Sequence, residues 1–287
     1  MSMGFELTRI GRSAAPGIVS ASVLLAAACP SSALAFDQQS STGASGGGAT
    51  LGITSARPEE PKASIQMRLR FGLQAYKRGK KDEAFEAYRD AADQGHSGAQ
   101  WKLAHMYAAG DGVAENDYEA FKLFEQIVTE GAAPGSRDSA FVANALVSLA
   151  GYFNSGIPGT PVQANPERAR DLYWQAATTF GEPHAQFELG RMFLASGDSL
   201  NNTRQAAKWF NQASEKGHAG AQAMLGHLHF KHGRRVVGLS MLTAALQTAA
   251  PHDRDWIRTL QEEAFAVADE AERRTAIVRA EELLAQR

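Results

Sequence analysis

This sequence predicts an all-α fold: a right-handed α-solenoid of about five helix-turn-helix repeats closed by a helical C-terminal cap. Three observations carry the prediction. The first is a repeated phrase, Ala185-Gln186-Phe187-Glu188-Leu189-Gly190, which returns with the same spacing as Ala99-Gln100-Trp101-Lys102-Leu103-Ala104 and as Ala221-Gln222-Ala223-Met224-Leu225-Gly226. The second is the phrase that follows it. Ala84-x-x-Ala87-Tyr88-x-x-Ala91-Ala92 returns as Ala120-x-x-Leu123-Phe124-x-x-Ile127-Val128, as Ala169-x-x-Leu172-Tyr173-x-x-Ala176-Ala177, as Ala206-x-x-Trp209-Phe210-x-x-Ala213-Ser214, and in degenerate form as Gly238-x-x-Met241-Leu242-x-x-Ala245-Leu246. The third is the interval: these copies begin at 84, 120, 169, 206 and 238, in steps of 36, 49, 37 and 32 residues, the span of a stacked helix pair.

Both phrases place apolar residues three and four apart, on one face of a helix. Small residues alternate there with Leu, Tyr, Trp and Phe, so two helices can approach closely. One pair cannot bury its stripe alone, and the pairs must therefore stack.

In chain order, residues 1–35 read as a secretory signal peptide. Arg9 and Arg12 precede the apolar run Gly17 to Ala28, and Ala33-Leu34-Ala35 supplies a small-x-small cleavage pattern. Cleavage after Ala35 leaves a chain beginning Phe36-Asp37, periplasmic in a two-membrane bacterium. A competing lipobox, Leu25-Ala26-Ala27-Ala28-Cys29, is poor because its aliphatic residue sits one place too far from the cysteine. Residues 36–63, rich in Gln, Ser, Thr and Gly and closed by Arg57-Pro58-Glu59-Glu60-Pro61, read as a disordered arm.

The solenoid is expected over 64–250. In its first pair Met67, Leu69, Phe71, Leu73 and Tyr76 form the first helix, Gly79 allows the turn, and Asp82 to Asp93 form the second. In the second pair Gly110 and Gly112 end one helix, and Asn116 or Asp117 is placed to cap the next. The third pair carries insertions at Gly131 to Asp138 and Gly156 to Pro166, which account for the 49-residue step. Long loops on a rigid solenoid often hold binding contacts; a tolerated surface insertion explains them equally well. Residues 251–287 read as capping helices. Pro251 breaks the preceding helix, Asp253 or Asp255 can cap a new one with a stripe of Trp256, Leu260, Ala264 and Val267, and a last charged helix carries Ile277, Ala280 and Leu284.

Composition limits the chemistry. The single cysteine is Cys29, inside the leader, so the mature chain has no disulfide and no thiolate site. Removing the leader takes away two Arg and one Glu and moves the formal charge from −2 to −3, a near balance that argues against nucleic acid and against a basic membrane-binding surface. No later run approaches the length of a membrane span, so no stable membrane insertion is expected. Phosphate, dinucleotide, serine-hydrolase and zinc-protease motifs are absent. The turn with Asp111, Glu115 and Asp117 lacks the ligand ladder of a calcium loop. His227, His229 and His232 do not converge on a helix as an i, i+4 pair does, so no metal and no cofactor is expected. His96 and His218 share one repeat position, which reads as a turn preference. Trp101, Trp174, Trp209 and Trp256 are expected on packed faces.

The phrases Ala-Gln-x-x-Leu-Gly, Gly110-x-Gly112-Val113 and Ala206-x-x-Trp209-Phe210-x-x-Ala213 resemble the Sel-like repeat, a relative of the tetratricopeptide repeat. Longer strings, among them Asp117-Tyr118-Glu119-Ala120-x-Lys122-Leu123-Phe124-Glu125, Lys208-Trp209-Phe210-Asn211-Gln212-Ala213 and Met241-Leu242-Thr243-Ala244-Ala245-Leu246, are similar to the ExoR-type exopolysaccharide regulators of rhizobia and related bacteria. That resemblance implies a non-enzymatic periplasmic protein. It would bind the sensor domain of a ChvG/ExoS-type membrane histidine kinase, hold it off, and be removed by a periplasmic protease in acid. Two other classes stay open on the residues alone: an adaptor for cell-wall enzymes, and a cryptic hydrolase for which the sequence offers no nucleophile beside a histidine.

In helix-pair repeats the first helix of each pair lines the concave surface. Leu103, Leu189 and Leu225 mark one repeat position, and positions two before, two after and five after them point away from the packed seam. The expected partner-binding strip is therefore Trp101, His105 and Ala108, then Phe187, Arg191 and Leu194, then Ala223, His227 and Phe230. Aromatic and Arg side chains are the usual anchors of interfaces, and mild acid is expected to charge His105 and His227 beside Arg191. The competing reading is that these side chains pack against neighbouring helices.

Overall fold

The computed structural model describes residues 62–197 and 199–286; the leader and nearly all of the arm lie outside the described residues. The described chain forms twelve α-helices and no strand: α1 (Lys62–Lys77), α2 (Lys81–Ala92), α3 (Ser97–Ala109), α4 (Asp117–Glu130), α5 (Ser139–Ser155), α6 (Pro166–Gln175), α7 (Pro183–Ala195), α8 (Leu200–Glu215), α9 (Ala219–Lys231), α10 (Arg235–Thr248), α11 (Arg254–Val267) and α12 (Glu270–Ala285). From α1 to α11 each packs on the next in sequence, giving five antiparallel pairs, and the capping helices α11 and α12 both lie against α10.

The small-against-large alternation is what brings the helices together. A Cβ added to Gly190 would lie 2.5 Å from the Phe210 ring, and one added to Gly238 would lie 2.6 Å from the Gly226 carbonyl oxygen. Only glycine fits at these two crossings. The repeat leucines Leu103, Leu189 and Leu225 are buried, as are Phe124, Phe210, Leu239 and Leu242. At the equivalent position of the second phrase Trp209 is buried, whereas Leu123 and Leu172 are half-buried.

Caps follow local chemistry. Asn116 accepts from the backbone N–H groups of Tyr118 and Glu119 at the start of α4. The shared position of His96 and His218 is a cap as well: each Nδ1 accepts from the backbone three residues on, Ala99 N at 3.3 Å and Ala221 N at 3.1 Å. Asp253 occupies the N-cap position of α11 but makes no side-chain cap; its carboxylate instead accepts from Trp256 Nε1 at 2.9 Å. The inserted loop before α6 is fastened down, with Ile157 and Val162 buried and Ile157 N bonded to Val162 O at 2.9 Å.

The third pair holds a feature the repeat phrases did not announce. After α6 the chain continues as one π-helical turn, Ala176–Phe180. In the first, second and fourth pairs Gly95, Gly131 and Gly217 stand four residues after Ala91, Ile127 and Ala213, whereas Gly181 stands five after Ala176. All four glycines have positive φ, so the turn that ends the helix is kept, and the extra residue is absorbed as the π turn.

One expectation about packing needs correction, and the apolar residues of α1 divide between two sides. Met67, Phe71 and Leu73 do lie on α1, but they face outward, with 70%, 51% and 49% of their surface exposed; the packed side of α1 is Ile65, Leu69, Ala75 and Tyr76. Trp174, expected on a packed face, is 49% exposed and only touches Trp209 edge-on at 5.5 Å between ring centres. The place nearest the core seam belongs to Tyr173 and Ala177, which leaves Trp174 on the outer side of its turn.

Candidate functional site

The first helices α3, α7 and α9 carry the expected strip, and the structure sorts its residues into three separate groups. On α3, Trp101 Nε1 donates to Asn144 Oδ1 of α5 at 2.6 Å, and His105 Nε2 lies 3.0 Å from the same oxygen. An amide oxygen only accepts, so His105 carries its proton on Nε2. The His105 ring also meets Trp101 at 4.4 Å and Phe124 at 5.2 Å. Asn144 was missed from the sequence because the phrase on α5 departs from the repeat at its glutamine, so nothing marked that helix as part of the strip.

On α7, Arg191 is the exposed member. Its guanidinium pairs with Glu188 at 3.0 Å and sits 5.8 Å from the Phe187 ring centre, while Phe187 itself is buried. On α9, His227 and Phe230 are half-buried, and the Arg235 guanidinium lies 5.5 Å from the Phe230 ring. No hydrogen bond, ion pair or ring contact joins the three groups among the described residues.

Electrostatics corrects the acid expectation. Burial pushes the His105 imidazole below its ordinary value, against a smaller opposing effect of the Asn144 bond. Burial, with help from Lys231, lowers His227 to about 4. His227 therefore stays neutral in mild acid and His105 is shifted in the same direction, which opposes the charging of the strip that the sequence suggested.

Two further clusters join neighbouring repeats. Tyr76 donates to Asp111 Oδ2 at 2.5 Å, Lys81 pairs with the same carboxylate, and the Lys102 ammonium sits 3.7 Å over the Tyr76 ring. The bond to Asp111 pushes the Tyr76 phenol up to about 12, and burial lowers Lys102. A phenol held protonated is a poor base, so the cluster reads as the clasp that seats the Gly110 to Val113 loop on α2. The second cluster is an imidazole pair. His218 Nδ1 is occupied by the Ala221 amide, so its Nε2 carries hydrogen and donates to His184 Nδ1 at 3.3 Å, with Phe187 stacked on His218 at 4.6 Å. Among the described residues no group of three or more His, Cys, Asp or Glu is placed to hold a metal ion, and no helix is long and apolar enough to cross a membrane. What the face offers chemically is contact: on α7 one exposed Arg over an aromatic base, and separately between α3 and α5 a hydrogen-bonded Trp–Asn–His set.

Comparison with known proteins agrees with this geometry. The Sel1 repeat matches residues 97–131, 143–178 and 183–218, which are α3–α4, most of α5–α6 with the π turn, and α7–α8. A crystal structure of a Sel1 repeat protein from Oxalobacter formigenes superposes with a TM-score of 0.56 over 78% of this chain and 91% of that one, at 21% identity, a likeness of fold. The exopolysaccharide production negative regulator of Rhizobium meliloti (strain 1021) is 49% identical over 236 residues, 79% of this chain and 88% of that protein. Its counterpart from Rhizobium leguminosarum bv. viciae is 51% identical over 208 residues, 72% of this chain and 78% of that protein. Matches of 236 and 208 residues are longer than the repeats alone, and the chain belongs to this family of Sel1-repeat exopolysaccharide production negative regulators.

Proposed function

We propose that the protein represses exopolysaccharide production without catalysis, as an exported periplasmic protein that binds the sensor domain of a ChvG/ExoS-type membrane histidine kinase and holds it inactive. The observation that carries this reading is the length of the match: 88% of the Rhizobium meliloti regulator is covered at 49% identity, far beyond what shared repeats alone produce. The surface we assign to the kinase is the first-helix face around Arg191, which sits over Phe187, with Trp101 and His105 on α3 and His227 and Phe230 on α9 as its other members. Arg191 is exposed there while its neighbours are held by packing, the arrangement of a preorganised anchor.

The test is capture. Tagged mature protein, crosslinked in periplasm-permeabilised cells and analysed by mass spectrometry, should enrich a membrane histidine kinase and, where one degrades it, a periplasmic protease. Recovery of cell-wall enzymes and no kinase would replace this reading with that of an envelope-enzyme adaptor.

A further inference from the structure

Helix α1 closes the N-terminal end of the solenoid, where such folds ordinarily present a polar face. Its outer surface has a different composition. Two adjacent stripes run along it: Gln66, Arg70, Leu73 and Lys77 on one, Met67, Phe71 and Gln74 continuing to Arg78 on the other. Every one of these residues is exposed. Met67, Phe71 and Leu73 are three of the eight large apolar side chains exposed among the described residues, and the helix has no acidic residue; of its cations Arg68 is paired with Asp90 of α2, while Arg70 and Lys77 stand on the outer stripes. The formal charge of −2 over the whole chain, which argued against a membrane-binding surface, conceals this local excess.

We propose that the outer face of α1 adsorbs to an anionic lipid surface, with Phe71, Met67 and Leu73 entering the headgroup boundary and Arg70, Lys77 and Arg78 meeting lipid phosphates. The pattern decides between occupants. A second copy pairing symmetrically would set cations against cations. A protein partner reading a helix wants a continuous apolar stripe, whereas here Arg70 and Lys77 stand on either side of Leu73 in the first stripe, and in the second Met67 and Phe71 give way to Gln74 and Arg78. That interleaving suits an interface in which Arg and Lys stems lie along the acyl boundary and their heads reach the phosphates. The proposal is independent of the kinase reading.

The probe is sedimentation of the full mature chain with vesicles of equal parts phosphatidylcholine and phosphatidylglycerol, against vesicles of phosphatidylcholine alone. Binding should appear with the anionic vesicles, weaken with salt, and fall by about tenfold or more in Phe71→Glu and in Arg70→Glu. Both side chains are exposed, so each variant should melt like the parent. Absence of binding to anionic vesicles, or binding unchanged in both folded variants, overturns the proposal. So does concentration-dependent self-association that disappears in Phe71→Glu, which would give the face to a second copy of this chain.

Discussion

His218 and His184, thirty-four residues apart, share a hydrogen bond of 3.3 Å between Nε2 and Nδ1, and its direction is fixed by a third group. Because the Ala221 amide occupies His218 Nδ1, the proton between the rings belongs to His218. A protonated His218 would lose its cap on α9, and a proton on His184 Nδ1 would face the Nε2–H.

Stability should therefore fall in acid. Burial, with the neighbouring His184 and His252 acting the same way and Asp253 opposing, holds His218 at about 4, and His227 is at about 4 as well. The unfolded chain takes up these protons near the ordinary imidazole value, while the native chain does not until about pH 4. The stabilisation is thus complete above about pH 6.5 and is lost as pH falls through that window, on the order of 2 kcal/mol for each group after solvent screening. His218→Asn keeps a good capping residue and removes one titration. Its melting temperature should decline less steeply between pH 6.5 and 4 than the parent's; superimposable curves would contradict the assignment.

The packed seam should be sensitive to both loss and gain of volume. Leu189→Ala removes a fully buried side chain and should cost roughly 2–5 kcal/mol. Gly190→Ala puts a methyl into the Phe210 ring and should cost about 1–3 kcal/mol. Thermal or urea unfolding measures both, and an unchanged Leu189→Ala midpoint would mean the helix register is wrong.

Export can be checked directly. Amino-terminal sequencing of the protein recovered from the periplasm should begin Phe-Asp, from cleavage after Ala35; an acylated Cys29 at the mature terminus would show a lipoprotein instead.

The solenoid was legible because repeat proteins write one packing solution several times, and Leu103, Leu189 and Leu225 could be aligned on each other without any tertiary information. The site was less so. Periodicity shows that Trp101 and His105 share a helix face but not that Asn144, on a helix whose phrase is degenerate, ties them together. Nor does it say that Phe187 is covered while Arg191 is open, because that depends on the His218 and Phe210 rings arriving from later repeats. The π turn was readable in principle from the one-residue delay of Gly181, but only against copies whose spacing is known to be helical. At α1 the pattern gave the helix but not its packed side, for a physical reason: a terminal helix has a neighbour on one side only, so apolar residues on its far side have nothing to pack against.

The most direct measurement is binding of the purified mature chain to the isolated periplasmic domain of the kinase, compared between the parent and Arg191→Glu. Arg191 is exposed, and its ion pair with Glu188 and its contact with the Phe187 ring both lie within its own helix, so the substitution should leave circular dichroism and melting essentially unchanged. The account predicts saturable binding by the parent and a loss of about tenfold or more in the variant. Equal binding by a folded Arg191→Glu protein would move the contact to another face, and no binding by the folded parent would contradict the kinase reading itself.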